Sequence, residues 1–183
     1  ALTSKNKALS SSKSEKYICQ QAMKSLEYFN VATRFANTAN QLLNDSIFNR
    51  RNAIKANGPQ NYPSKWQKAE RKFVLATKSI ENKNIQRAEK LNIDASQEFN
   101  LIELWSIKDN VLAKARNQID LAKEEKADRY APITLDQAYR FLNTADFELT
   151  NNRYDIATAN NLTEKSIERS SHAIFLSILI QNL

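Results

Sequence analysis

One glycine and three prolines are all that this chain of 183 residues offers for tight turns. Hairpin turns between strands need positive φ, which glycine supplies without steric cost. A sandwich or barrel of short strands is therefore excluded. Valine is scarce as well, at Val31, Val74 and Val111, whereas Ala, Lys, Glu, Gln, Leu and Asn abound. That balance favours helix, and the expected fold class is all-α.

Cys19 is the lone cysteine and His172 the lone histidine. An internal disulfide is excluded, and too few soft ligands remain for a thiolate zinc site, so no metal and no cofactor is expected. Cys19 reads as a small apolar residue on a helix face. No run approaches the roughly 20 apolar residues of a membrane span; the greasiest stretch, Ala173 to Ile180, is interrupted by Ser177. Gly58 stands alone, so there is no glycine-rich phosphate loop. His172 follows Ser170 and Ser171, but neighbours on a helix point in different directions. A nucleophile–base pair is not formed that way, and a structural role is expected for His172. Glu124 and Glu125 lie among Lys123 and Lys126 as a solvated surface. No catalytic residue is assigned, and the chain is expected not to be an enzyme.

Charge is present but uneven. Residues 1–58 hold nine Lys and Arg against three acids, whereas residues 131–183 hold four against six. A basic helix can attract phosphate, anionic lipid or anionic glycan. The candidate contacts for such a ligand are Lys16, Lys24, Arg34, Arg50, Arg51 and Lys55. They are scattered along the helix, with no recognised docking module, which disfavours nucleic acid. Trp66 and Trp105 are expected as core or inter-helix contacts.

Residues 1–13, rich in Ser, Lys and Asn, read as a flexible leader, and residues 14–183 as a single elongated helical domain. Gly58-Pro59, Tyr62-Pro63 and Tyr130-Ala131-Pro132 are the sharpest breaks. They divide the domain into a long first helix (14–57), a first hairpin with a long second helix (62–128) and a second hairpin (130–183). Apolar stripes at helical spacing, such as Ala22, Leu26 and Phe29 or Ala88, Leu91, Ala95 and Phe99, support this. Kinks are expected near residues 49–52 or 108–110. At 1.5 Å per residue each long helix would span roughly 60 Å, which predicts an elongated bundle. Ser64 with Gln67, and Thr134 with Gln137, have the spacing of capping boxes.

An internal repeat is visible at an offset of 69 residues. Pro63, Ala69, Phe73, Ala76, Ile80, Ile85 and Ala88 match Pro132, Ala138, Leu142, Ala145, Leu149, Tyr154 and Ala157, and the match fades beyond them. Each proline closely follows a tyrosine, Tyr62 or Tyr130. Each copy reads as a proline entry, an amphipathic helix, a polar turn and a second helix. Alternating Ala with Leu, Phe or Ile lets the two helices approach closely.

The stretch 130–176 carries Tyr130-Ala131-Pro132, Thr134-Leu135, Ala138, Asn152-Arg153-Tyr154-Asp155, His172-Ala173 and Leu176. It resembles a helical-hairpin domain of unknown function found in Gram-negative outer-membrane lipoproteins, where it often precedes an OmpA-like peptidoglycan-binding domain. The resemblance implies an exported, periplasmic protein without enzyme activity. Its partners would be other envelope proteins or a downstream peptidoglycan-binding domain. It also implies tethering to the outer membrane by a lipid anchor outside this chain, since Cys19 lies within a helix. The motif residues Tyr130, Pro132, Arg153, Tyr154, Asp155 and His172 are expected to be structural, with Asp155 at a helix N-terminus and Tyr154 packing back on the hairpin. The leading expectation is an envelope scaffold or spacer. The alternatives are a tetratricopeptide-like protein-binding adaptor, because 69 is close to twice 34, and a binder of anionic glycan, lipid or nucleic acid through the first helix.

Overall fold

A computed structural model describes residues 15–183. The expected leader, 1–13, lies outside the described residues. Among those described, the chain forms eight helices and no strand. In order they are α1 Glu15–Leu42, α2 Asn44–Lys55, α3 Gly58–Asn61, α4 Pro63–Glu81, α5 Ile85–Glu124, α6 Ala127–Tyr130, α7 Pro132–Asn151 and α8 Ile156–Gln181. The all-α expectation holds.

The expected long first helix is interrupted, and the interruption is not at residues 49–52. It falls at Leu43, between α1 and α2, where the bonds Leu43 N–H to Ala39 O (2.8 Å) and Ile47 N–H to Leu43 O (2.9 Å) still carry the helical path. The long α5, 40 residues, runs through 108–110 without a break. Nor do the predicted capping boxes form. Pro63 and Pro132 are the first residues of α4 and α7, so Ser64 and Thr134 lie inside a first turn, and Ala131 precedes α7 without a side-chain cap. Proline with its fixed φ starts these helices, and its missing N–H costs nothing at a helix N-terminus.

The chain divides into two compact units. The first comprises the described part of Ala1–Arg50 with Gln67–Glu98. Its core is Leu43, Ala76, Ile80 and Ala88, flanked by Phe35, Ala39, Leu42, Ile47, Phe73 and Leu91. The fully buried Ser46 donates its hydroxyl to the Asn92 carbonyl at 2.9 Å, so its polarity is satisfied inside the core. Asn49 Nδ2 donates to Ser96 Oγ at 2.8 Å, and the rim carries the ion pairs Arg50–Glu70 and Lys72–Glu98.

The second unit comprises Arg51–Trp66 with Phe99–Leu183. One core cluster is Leu112, Ala145, Leu149 and Ala159, flanked by Ile107, Val111, Leu142 and Leu162. Another is Ile119, Ala122, Ala127, Ala131, Leu135, Ala138 and Ala173. Serines on α8 are buried because each bonds a carbonyl: Ser166 that of Ala138 (2.8 Å), Ser170 that of Ser166 (2.7 Å), and Ser177 that of Glu125.

The repeat extends well past Ala88. Leu42, Leu43, Phe73, Ala76 and Ile80 in one cluster match Val111, Leu112, Leu142, Ala145 and Leu149 in the other, all at the offset of 69. Beyond the turn the offset becomes 71. Ala88 and Leu91 match Ala159 and Leu162, and the buried Ala95, Ile102 and Ser106 match the buried Ser166, Ala173 and Ser177. The sequence pairing of Ile85 with Tyr154 and of Ala88 with Ala157 is thus corrected. Ala157 is exposed, and the stretch from Leu149 to Ala159 is two residues longer than that from Ile80 to Ala88. The caps agree with the new register: Asn84 Oδ1 accepts from Arg87 N–H at 3.2 Å and Asp155 Oδ1 from Thr158 N–H at 3.1 Å.

The entry turns also repeat bond for bond. Asn57 and Lys126 are left-handed at φ 63 and 60, ending α2 and α5. The N–H groups of Asn61, Tyr62 and Trp66 then bond the carbonyls of Asn57, Gly58 and Tyr62. Those of Tyr130, Ala131 and Leu135 do the same with Lys126, Ala127 and Ala131. Tyr130 therefore corresponds to Asn61, not to Tyr62.

Gly58 does not take the positive φ expected of a helix-ending glycine, because Asn57 takes it. Gly58 is needed for room. A Cβ there would stand 2.6 Å from Ile102 Cγ2 and 2.7 Å from the Ala53 carbonyl oxygen. In the other copy Ala127 fits because Ala173 replaces the isoleucine. Gly58→Ala is expected to destabilise the fold by about 1–3 kcal/mol despite its better helix propensity. Adding Ile102→Ala should remove most of the extra cost of the Cβ. A urea-denaturation double-mutant cycle reads this coupling, and additive effects would refute it.

Candidate functional site

Three polar constellations stand out. At the start of α8, the turn residues Arg153 and Tyr154 reach back to α5. The Arg153 guanidinium donates to Glu103 Oε2 (3.1 Å), to the Asn100 carbonyl (3.0 Å) and to Asn100 Oδ1 (3.1 Å). Tyr154 Oη donates to Glu103 Oε1 at 2.8 Å and receives Asn52 Nδ2 at 3.5 Å. The Glu103 side chain is 3% exposed, so both its oxygens are satisfied inside the protein. Burial raises the Tyr154 hydroxyl's pKa, and its bond to Glu103 raises it further. Asp155 caps α8 through Thr158, and that backbone bond holds its carboxyl below the usual range. The Arg-Tyr-Asp motif thus ties a turn to a helix.

The second constellation is aromatic. Tyr62 donates its hydroxyl to Asp109, whose other oxygen takes Arg116 Nη1 at 3.1 Å. The Trp105 ring lies 5.6 Å from Tyr62, and Lys65 Nζ stands 4.2 Å over it. Trp66 packs at 5.0 Å on the fully buried Phe99, so both tryptophans make the inter-helix contacts expected of them. Burial first, and then the Asp109 carboxylate, push the Tyr62 hydroxyl up to about 12. A phenol whose pKa is raised by folding adds stability that is complete below its ordinary value of 10.0 and is lost as pH climbs towards 12. The absorbance difference between wild type and Tyr62→Phe at 295 nm should therefore show one phenol titrating near 12. The variant should also lose less stability than wild type across that interval. A difference spectrum centred near 10 would contradict this.

The third is a groove in the first unit, along α1. One part, about 510 Å³, is lined by Tyr28, Val31, Ala32, Phe35, Ala36, Ala39, Thr77, Ile80 and Glu81. An adjoining part, about 320 Å³, shares Val31 and Phe35 and adds Arg34, Thr38 and Lys83. Among the described residues, neither the Arg34 guanidinium nor the Lys83 ammonium has an ion-pair partner. Lys83 holds φ 58, a conformation that costs a side-chain-bearing residue about 1–2 kcal/mol.

The sequence-predicted residues fall in different places. Tyr130 is half-buried and ends α6, with Arg129 5.3 Å over its ring, while Pro132 starts α7. His172 is exposed on α8, and Cys19 is exposed on α1. Among the candidate cations, Lys16, Lys24 and Arg34 are exposed on α1, and Arg51 and Lys55 on α2. Arg50 is engaged by Glu70 and stands 5.9 Å over the Phe73 ring. Of the six, Arg34 lines this groove. Lys83, Phe35 and Val31 were not among the expected ligand contacts, and the one signal for them was the shorter link after α4. Among the described residues no group of His, Cys, Asp and Glu is placed to hold a metal ion, and no helix is long and apolar enough to cross a membrane. Compared with family models, curated proteins and solved structures, the chain matches none of them.

Proposed function

We propose that the chain is a non-enzymatic structural domain of a bacterial cell-envelope protein, periplasmic and associated with the outer membrane, that holds or spaces partner proteins. The observation that carries the scaffold reading is the duplicated core. Seven apolar positions of one cluster recur in the other, and the entry turns repeat bond for bond. Repetition of one helical unit is how chains build extended surfaces for other proteins. The strongest polar constellation, Glu103 with Arg153 and Tyr154, is spent on fastening a turn. The envelope location rests on the likeness of 130–176 to the lipoprotein hairpin domain. A tetratricopeptide-like adaptor is disfavoured by the 40-residue α5, longer than a whole 34-residue unit of that kind.

The test is crosslinking in the native host followed by fractionation. Recovery with the outer-membrane fraction, in crosslinked complexes with envelope proteins, supports the proposal. Recovery in the cytosol without a crosslinked partner overturns it.

A further inference from the structure

The two copies differ most at the turn between their second and third helices. In the second copy the turn carries Arg153 and Tyr154, which cover Asn100 and Glu103 of α5. At the offset of 69, Asn100, Glu103 and Leu104 correspond to Val31, Arg34 and Phe35 of α1. The first copy's link around Lys83, counted from Ile80 to Ala88, is two residues shorter than its counterpart from Leu149 to Ala159. Val31, Arg34 and Phe35 are the residues that line its open groove. The place that one copy fills with its own turn is not filled by the described residues of the other.

The charge at that place is reversed. Glu103 receives a cation and a phenol, whereas its counterpart Arg34 is itself a cation, joined by Lys83. The floor remains apolar, formed by Val31, Phe35, Ala39 and Ile80. Its complement is an acidic side chain in place of Arg153, next to an aromatic one in place of Tyr154. Residues 1–14 contain no acidic and no aromatic residue, so the complement is not encoded there.

We propose that the groove along α1, with Arg34 and Lys83 at its edge, docks a segment of a partner polypeptide that carries an acidic residue beside an aromatic one. The carboxylate meets Arg34 and Lys83 in charge-assisted hydrogen bonds, and the ring lies on Phe35, Ala39 and Ile80. Glu81, in the wider part of the groove, repels a second acid there and fixes the direction of the segment. The proposal rests on the scaffold reading only in taking the occupant to be a polypeptide. Failure of the peptide test below leaves the cellular test of that reading untouched.

The probe is the acetylated, amidated hexapeptide of residues 151–156 with glutamate in place of Arg153 and asparagine in place of Asp155, titrated against the ¹⁵N-labelled chain and followed by amide shifts. Saturable shifts confined to residues 28–39 and 77–83 are expected. Arg34→Glu, an exposed position that leaves the core intact, should weaken binding about tenfold or more. The same peptide with its natural arginine should bind the Arg34→Glu variant better than it binds wild type. Equal binding of the two peptides to wild type, or shifts outside the groove, would overturn the proposal. So would 4-hydroxyphenylacetate binding as tightly as the peptide, which would make the occupant a small acid. Concentration-dependent self-association lost in Arg34→Glu would make it a second copy, and overturn the proposal likewise.

Discussion

Arg153→Met is expected to cost about 3–5 kcal/mol, read as the urea-denaturation free energy at neutral pH. The size follows from what is left behind. Glu103 is 2% exposed, and without the guanidinium only Tyr154 would serve its carboxylate. An uncompensated buried charge is far more costly than the pair was stabilising, because desolvation offsets most of the attraction while both partners are present. The double variant Glu103→Leu with Arg153→Met should therefore recover most of the loss, although Tyr154 loses its acceptor. If the double variant is as unstable as the sum of the two single ones, the ion pair itself is the stabilising element and this account is wrong.

Leu43→Ala and Leu112→Ala should each cost about 2–5 kcal/mol, and the two costs should be similar. Each leucine is fully buried among equivalent neighbours: Ala76, Ile80 and Ala88 around one, Ala145, Leu149 and Ala159 around the other. Alanine neighbours put backbone close to the new void, so neither site can collapse readily to fill it. The spread among leucine truncations reflects how far the surroundings relax, and matched surroundings should relax alike. A more than twofold difference in cost, measured by the same denaturation, would show that the two cores are equivalent in composition only.

The helices were legible because apolar residues recur at threes and fours and because turn formers are few. The breaks at Tyr62-Pro63 and Tyr130-Ala131-Pro132 fall where α4 and α7 begin. Three features were hidden for separate reasons. Asn57, Lys83 and Lys126 are left-handed, and nothing in Lys announces a positive φ, so the lone Gly58 attracted the turn assignment that belonged to its neighbour. Ser177 read as a polar break in an apolar stretch, yet it is buried because it bonds a carbonyl on a neighbouring helix or turn, as Ser46, Ser166 and Ser170 also bond carbonyls. The second half of the repeat escaped because a comparison at one fixed offset fails after two extra residues. The groove was invisible for the same reason, since it arises from the length of a turn and not from any motif. Arg34 was singled out only as one of several scattered cations, and its apolar neighbours and Lys83 could not be joined to it without the fold.

Two extra residues within a helix would rotate everything beyond them by about 200°, turning its buried stripe to water. Placed between Leu149 and Ile156, one lengthening the end of α7 and one the turn, they leave the inward positions of α8 in step with those of α5. That segment acts as a phase buffer, and the shorter link around Lys83 inherits the same freedom. Added length at either point changes what overhangs the neighbouring helix while the interior stays in register, so this is where insertions and deletions can accumulate and reshape the surface.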